Sequence, residues 1–133
     1  MEEQLCQCGS NELYSQCCGK YHRGTLPENA LKLMRSRYTA YQRQMPEYII
    51  STTHPENPYY LQDTEKWNSN ILFFSKNTEF IGLEIINFTD GQKEAFVTFQ
   101  AILKQNGKDA SFIEKSRFEK VNGKWLYKDG VFL

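Results

Sequence analysis

The sequence predicts an α+β fold, with a short cysteine-rich segment first, then helices, and then an antiparallel sheet. Apolar residues recur at helical spacing up to about residue 77, and beyond that point they alternate with polar residues, as in half-buried strands. Asp-Gly and Asn-Gly pairs also divide the second half at regular intervals, and such pairs are typical of β-hairpin turns. Helices followed by a run of hairpins predict helices packed on one face of a curved sheet of about four strands.

Length and charge limit the classes of function. The chain has 133 residues, with 16 Lys or Arg against 16 Asp or Glu. A chain of this size forms one domain, with room for a small appendage. Because the formal net charge is zero, the sequence indicates no general attraction to nucleic acid or to an anionic membrane.

Hydropathy and thiol content predict a cytoplasmic protein. No apolar run approaches the roughly 20 residues that span a bilayer. The acidic start, Met1-Glu2-Glu3-Gln4, leads into no apolar segment of a signal peptide. Reduced cysteines are the default in the cytoplasm, and zinc is the usual reason to cluster them there. We therefore expect no membrane span and a cytoplasmic location.

The first long helix is predicted to begin at a capping box made by Thr25 and Glu28 and to end at about Arg43. Its apolar stripe is predicted to pack in the core and comprises Leu31, Met34, Tyr38 and Tyr41.

Two further helical segments follow. Pro46 opens a short one, residues 54–58 form a loop because they hold two prolines, and Thr64 caps a longer helix that ends at Asn77. Trp67, Ile71 and Phe74 form the apolar stripe of this longer helix.

Four strands are predicted at about 79–89, 92–105, 109–121 and 124–130. The turns between them are predicted at Asp90-Gly91, Asn106-Gly107 and Asn122-Gly123.

The four cysteines, Cys6, Cys8, Cys17 and Cys18, lie within 13 residues and predict a metal site. Four thiolates are the ligand set of a closed structural zinc centre, which leaves no position open for a substrate. Gly9 and Ser10 allow a sharp turn after the first pair. Lys20, His22 and Arg23 follow the second pair closely enough to offset part of the negative charge of the thiolates.

Two alternatives stay open at this point. The cysteines could form disulfides in an oxidising compartment, although the adjacent Cys17 and Cys18 would pair only with strain. His22 could replace one cysteine as the fourth ligand, or lie beside the metal as a neighbouring imidazole.

The cysteine segment resembles the SEC-C zinc motif, which is known from the tail of the SecA translocation ATPase. The matching residues are Cys6-x-Cys8-Gly9-Ser10, Tyr14 and Cys17-Cys18-Gly19. A final Cys-Cys pair in place of Cys-His is similar to the YchJ family of small bacterial proteins. The departures are Gln7, where proline is usual, and Asn11-Glu12 and Ser15-Gln16, where the translocase tail carries glycine and lysines.

The likeness to the YchJ family continues along nearly the whole chain. It includes Leu33-Met34-Arg35-Ser36-Arg37-Tyr38, Thr53-His54-Pro55, Trp67, Glu114-Lys115-Ser116-Arg117-Phe118 and Trp125-Leu126-Tyr127-Lys128-Asp129-Gly130. The resemblance implies a SEC-C knuckle at residues 1–24 and a cone-shaped α+β domain like that of nuclear transport factor 2 (NTF2) at residues 25–133.

A cone of this kind has a mouth, where single-domain pockets are usually found. The residues expected there are Arg35, Tyr38, His54, Tyr59, Tyr60, Trp67, Glu114 and Tyr127. Strand parity places Glu114 on the face of Phe112, Ser116 and Phe118. A carboxylate on an apolar face needs a partner, and we expect Arg35 to provide it, or else His54.

Three functions follow from these features. The first is an adaptor that is not an enzyme and that meets a protein partner through its zinc knuckle. The second is a small-molecule binder or an enzyme that uses the cavity of the cone. The third, binding of single-stranded nucleic acid, has little support, because aromatic and basic residues near the cysteines are few.

Overall fold

A computed structural model describes residues 4–133 of the chain, so the acidic Met1-Glu2-Glu3 lies outside the described residues. A 3-10 turn at Tyr14–Gln16 precedes the helices. The helices are α1 (Cys18–His22), α2 (Ala30–Gln42), α3 (Pro46–Ser51) and α4 (Thr64–Lys76). The strands are β1 (Glu79–Thr89), β2 (Glu94–Gln105), β3 (Lys108–Asp109), β4 (Phe112–Val121) and β5 (Lys124–Phe132). The predicted α+β class and its order of elements are confirmed.

The sheet is open and antiparallel, with the strand order β1-β2-β4-β5 and the short β3 paired with β2. Register shifts interrupt β1 between Phe80 and Gly82 and again between Ile85 and Asn87. Another lies between β4 and β5, where Arg117 and Phe118 pair with Asp129 and Tyr127 and Lys128 of β5 is skipped. Because β-bulges bend a strand and increase its twist, these positions curve the sheet around the helices.

Two of the three predicted turns have the expected conformation. Both residues of Asn106-Gly107 and of Asn122-Gly123 have positive φ, as a type I′ hairpin requires. The hairpin predicted at Asp90-Gly91 does join β1 to β2, but the expectation of a two-residue turn there is wrong. Neither of these residues has positive φ, because four residues, 90–93, separate β1 from β2 and a longer loop needs no left-handed pair.

Two predicted helix starts are also wrong. Helix α2 begins after Asn29, whose side chain accepts a hydrogen bond from the backbone N–H of Lys32. Glu28 instead accepts a hydrogen bond from the hydroxyl of Tyr21. In the same way Asp63, rather than Thr64, caps α4. Asparagine and aspartate are at least as good as threonine at this position, so the tertiary contacts decide which residue is used.

Helix α2 is buried on nearly all sides. Five consecutive residues, Ser36 to Ala40, are buried, which a helix with a single apolar face cannot achieve. One side of α2 faces the inner surface of the sheet, where Val97 and Phe118 are almost fully buried. The opposite side faces the N-terminal cysteine segment. No helix within residues 4–133 is long and apolar enough to cross a membrane.

Candidate functional site

A small hairpin and a helical turn bring the four cysteines together. Leu5 and Leu13 form an isolated antiparallel bridge, and the N–H of Cys6 donates to the carbonyl of Glu12. Gly9, at φ +86°, reverses the chain after the first pair of cysteines. The second pair lies where the 3-10 turn meets α1, so that both pairs point into one space.

The geometry of the cluster fits a tetrahedral metal. All four Sγ atoms lie within 4.8 Å of one another, and all four cysteines are buried and unbridged. The Sγ atom of Cys17 lies 3.6 Å from that of Cys8 and 4.0 Å from that of Cys18. A tetrahedral zinc site with bonds of about 2.3 Å has sulfur–sulfur edges of about 3.8 Å. The disulfide alternative has no support in this arrangement, because a bonded pair would be about 2 Å apart.

The electrostatics of the cluster favour a cation. Hydrogen bonds from the thiols of Cys18 and Cys6 hold the pKa of Cys8 well below its usual range. Burial raises the pKa of Cys17 to about 11. One thiol of the cluster therefore gives up its proton more readily than its neighbours, and a metal that binds all four sulfur atoms displaces the remaining protons.

Three polar side chains surround the sulfur atoms. The hydroxyl of Ser10 lies 3.1 Å from Sγ of Cys17, and that of Thr39, on α2, lies 3.7 Å from Sγ of Cys6. Arg35, also on α2, donates from Nη1 to the carbonyl of Cys8 at 2.7 Å and lies 3.7 Å from its Sγ. Such neighbours orient metal ligands and offset the charge of a thiolate cluster.

The basic residues that follow the cysteines do not serve the sulfur atoms as expected. Arg23 donates to the carbonyl of Ser15, and Lys20 lies over the ring of Tyr21. His22 is not placed as a ligand, because its Nδ1 contacts the hydroxyl of Tyr14 and its Nε2 lies 2.8 Å from the carbonyl of Ser36. Arg35 is the cation beside the cluster, and sequence spacing contained no signal for it.

A second feature is a cavity of about 800 Å³ between α2, α4, the loop before α4 and the inner face of the sheet. This volume is in the range of small-molecule sites in proteins. Its walls are mainly aromatic and aliphatic. The aromatic lining residues are Tyr38, Tyr41, Tyr59, Trp67, Phe74, Phe80, Phe99, Phe112, Phe118 and Tyr127.

Polar groups in the cavity wall form one connected arrangement. Oε2 of Glu114 accepts hydrogen bonds from the hydroxyl of Tyr127, at 2.9 Å, and from that of Ser116. Burial, together with the neighbouring carboxylate of Glu114, raises the pKa of Tyr127, so its hydroxyl remains a donor. The guanidinium of Arg37 lies over the ring of Tyr127, 4.8 Å from its centroid.

Four of the predicted pocket residues, Tyr38, Trp67, Glu114 and Tyr127, lie in this wall, as does Tyr59 from the wider set. Arg35, His54 and Tyr60 do not line it. The predicted pair of Arg35 with Glu114 is wrong. Successive residues of a helix are about 100° apart, and Arg35 faces the cysteines, whereas Arg37, two positions on, faces the cavity.

His54 serves a structural purpose instead. The backbone N–H of His54 donates to the backbone carbonyl of Tyr127, and the preceding Thr53 forms a parallel β-bridge with Tyr127. Its ring Nε2 lies 3.3 Å from Oε1 of Glu119. Residues 52–54 thus extend the edge of the sheet and hold Tyr127 in place.

Comparisons with known proteins agree with this description. A family model described as "YchJ, middle NTF2-like domain" matches residues 29–130. A UPF0225 protein from Serratia proteamaculans (strain 568) is 38% identical, over 96% of this chain and 83% of its own length.

Two solved structures are similar over almost the whole chain. The solution structure of a SEC-C motif containing protein from Rhodopseudomonas palustris has a TM-score of 0.85 and 28% identity, covering 98% of this chain and 99% of that one. The crystal structure of a SEC-C motif containing protein from Psychrobacter arcticus has a TM-score of 0.78 and 29% identity, covering 97% of this chain and 81% of that one. The sequence resemblance is confirmed.

A double-mutant cycle tests the arrangement around Glu114. We expect Glu114→Ala and Tyr127→Phe to be coupled by about 1–3 kcal/mol in the free energy of unfolding, because they share a charge-assisted hydrogen bond. Glu114→Ala and Arg35→Met should be additive within about 0.5 kcal/mol. Urea denaturation measures both cycles. A coupling above about 1 kcal/mol between Glu114 and Arg35 would contradict this geometry.

Proposed function

The chain belongs to the YchJ family, and on that premise we propose that it binds one structural zinc ion at its four cysteines and a small molecule in its cavity. The zinc ligands are Cys6, Cys8, Cys17 and Cys18. The observation that carries the second part is the cavity of about 800 Å³, built on the side of α2 opposite the cysteines.

The donor set supports zinc and a structural role. Four thiolates at tetrahedral spacing satisfy zinc completely, so such an ion neutralises charge and cross-links the chain without activating a substrate. The cysteines are buried, and Thr39 and Arg35 of α2 lie against them, so that there is no approach for a reactant. Reduced thiols of this kind suit the cytoplasm, where we place the protein.

The cavity supports ligand binding because it is large, apolar and supplied with few polar groups. Its wall joins residues of α2, β2, β4 and β5, which belong to one packed core, to Trp67 and Ile71 of α4, which belong to a second buried cluster. Tyr59 is 81% exposed and also lines the cavity, which places an opening at the loop before α4. We propose no catalysis, because Arg37 and Glu114 are the only charged residues of the wall within residues 4–133, and Arg37 is held by hydrogen bonds to residues 49–53.

The second candidate function is an adaptor whose partner binds the zinc knuckle. The observation that favours it is the exposure of two leucines on the hairpin that carries Cys6 and Cys8. Leu5 is 57% exposed and Leu13 is 38% exposed, and they lie opposite each other. Paired exposed leucines on a metal-fixed hairpin offer a small apolar contact for another protein. Nucleic acid is not proposed, since the net charge of the chain is zero.

Metal content tests the zinc proposal. We expect one equivalent of zinc per chain after purification without chelator, and less than about half an equivalent in Cys8→Ser/Cys18→Ser, because two thiolates cannot complete the site. Ser10→Ala is the matched control, since it removes a hydroxyl beside Cys17 and leaves all four ligands. Elemental analysis measures the content. Equal zinc in the wild type and the double cysteine variant would contradict the assignment.

Chelation tests the division of the chain after residue 24. The short knuckle holds its place through the metal and a few contacts with α2, whereas residues 25–133 have a core of their own. We expect a chelator to disorder the first 24 residues and lower the melting temperature, while the sheet and α4 keep their structure. Amide hydrogen exchange reports both parts. Simultaneous loss of protection along the whole chain would show a single cooperative unit instead.

Filling the cavity tests the binding proposal. Ala101 is buried in the cavity wall, and its neighbour Gln100 points to the other face of the sheet. We expect toluene, titrated into the labelled protein and followed by amide chemical shifts, to perturb residues of the wall. The perturbation should weaken in Ala101→Leu and persist in the control Gln100→Leu. Absence of any shift in the wild type at millimolar toluene would contradict an open apolar cavity.

A further inference from the structure

Glu114 is the only acidic residue among those of the described chain that line the cavity. Both of its hydrogen bonds, from Tyr127 and Ser116, are made to Oε2. No protein donor within residues 4–133 bonds to Oε1, and no Lys, Arg or His among them forms an ion pair with this carboxylate. A carboxylate oxygen left without a donor beside an apolar cavity can accept one from a ligand.

The nearby cation does not fill this role. Nη1 of Arg37 donates to the carbonyl of Ile49 and to the hydroxyls of Thr52 and Thr53, at 2.8–3.1 Å. The guanidinium rests on the ring of Tyr127, whose hydroxyl reaches Glu114. Tyr127 therefore lies between the two charges, and the guanidinium makes no direct contact with the carboxylate.

The aromatic part of the wall also favours a cation. Six aromatic rings of the cavity come from four elements, namely Tyr38 and Tyr41 of α2, Trp67 and Phe74 of α4, Phe80 of β1 and Phe99 of β2. The faces of aromatic rings carry negative potential and attract ammonium groups, more strongly where water is excluded. An anion placed beside Glu114 would meet this potential and the charge of the carboxylate together, and Nη1 of Arg37 is already bonded to Ile49, Thr52 and Thr53, so this position selects against an anion.

We infer that the ligand of this cavity is an organic amine in its protonated form, with an apolar or aromatic body. Its ammonium group donates a hydrogen bond to Oε1 of Glu114, and its body packs among the aromatic rings of α2 and α4. This inference rests on the proposed function, because it names the class of small molecule that the cavity binds.

Three probes of matched size and different charge test the class of ligand. They are 2-phenylethylamine, which is a cation at neutral pH, 2-phenylethanol, which is a neutral donor, and 3-phenylpropanoate, which is an anion. Amide chemical-shift titration of the full chain with its metal measures each dissociation constant. We expect the amine to bind at least ~10-fold more tightly than the alcohol and the anion to bind most weakly.

Two glutamine variants locate the effect. Glu114→Gln keeps an acceptor for Tyr127 and Ser116 and removes the charge. In this variant the dissociation constant of the amine should lie within about twofold of that of the alcohol. Glu84→Gln, at an exposed position of β1, removes a charge from the same sheet outside the cavity wall. It should change neither the dissociation constant of the amine nor that of the alcohol. Thermal melting verifies that both variants are folded, and the comparison of probes in the wild type needs no variant.

The outcomes separate the two proposals. If toluene and the alcohol shift the cavity residues but the amine binds no more tightly than the alcohol, the cavity binds small molecules and the inference of an amine is wrong. Tighter binding of the anion than of the amine would overturn it as well. If no probe shifts any cavity residue, the proposed function itself fails.

Discussion

Helix α2 is buried on opposite sides, and this burial positions both the cysteine segment and the cavity. One side packs against the cysteine segment and the other closes the cavity over the sheet. Two arginines two positions apart on this helix therefore meet different environments. Arg35 contacts the carbonyl of Cys8, whereas Arg37 contacts Ile49 and the ring of Tyr127. A helix of this kind cannot move on one side without disturbing the other, because its buried side chains are close-packed.

The proposed metal would cross-link an N-terminal segment that has no apolar core of its own. Residues 4–24 have too few apolar side chains for a core of their own, and their buried cluster consists of the four cysteines with contacts from Tyr14 and Leu83. Four thiolates around one divalent ion leave a net charge of about −2, which is costly to bury unless donors and cations lie close by. Ser10, Thr39 and Arg35 provide them, two of the three from α2. The segment is thus bound to the helix by the same groups that stabilise the charge.

Much of the fold follows from local sequence chemistry, and the errors arise where tertiary contacts decide. Two Asn-Gly turns and the alternation along β2 specify most of the sheet, because their conformations depend on adjacent residues alone. Helix starts at Asn29 and Asp63 were missed, since several neighbouring residues could act as caps. Which element each arginine of α2 contacts depends on what packs against that side of the helix. The spacing of apolar residues along the sequence does not predict this. The cysteines were identified because their spacing alone limits the chemistry, whereas their neighbour Arg35 lies 17 or more positions away along the chain.

Arg35 of α2 contacts the carbonyl of Cys8, so it should couple the proposed zinc site to this helix. The most direct test is the rate at which zinc leaves the protein in the presence of a chromogenic chelator, compared between wild type, Arg35→Met and the control Lys32→Met on the same helix. Loss of a group that contacts a ligand residue of a metal typically weakens binding 10–100-fold. We expect Arg35→Met to release zinc faster than the wild type by a factor of about 10 or more, and Lys32→Met to release it at the rate of the wild type. Equal rates in all three proteins would contradict it.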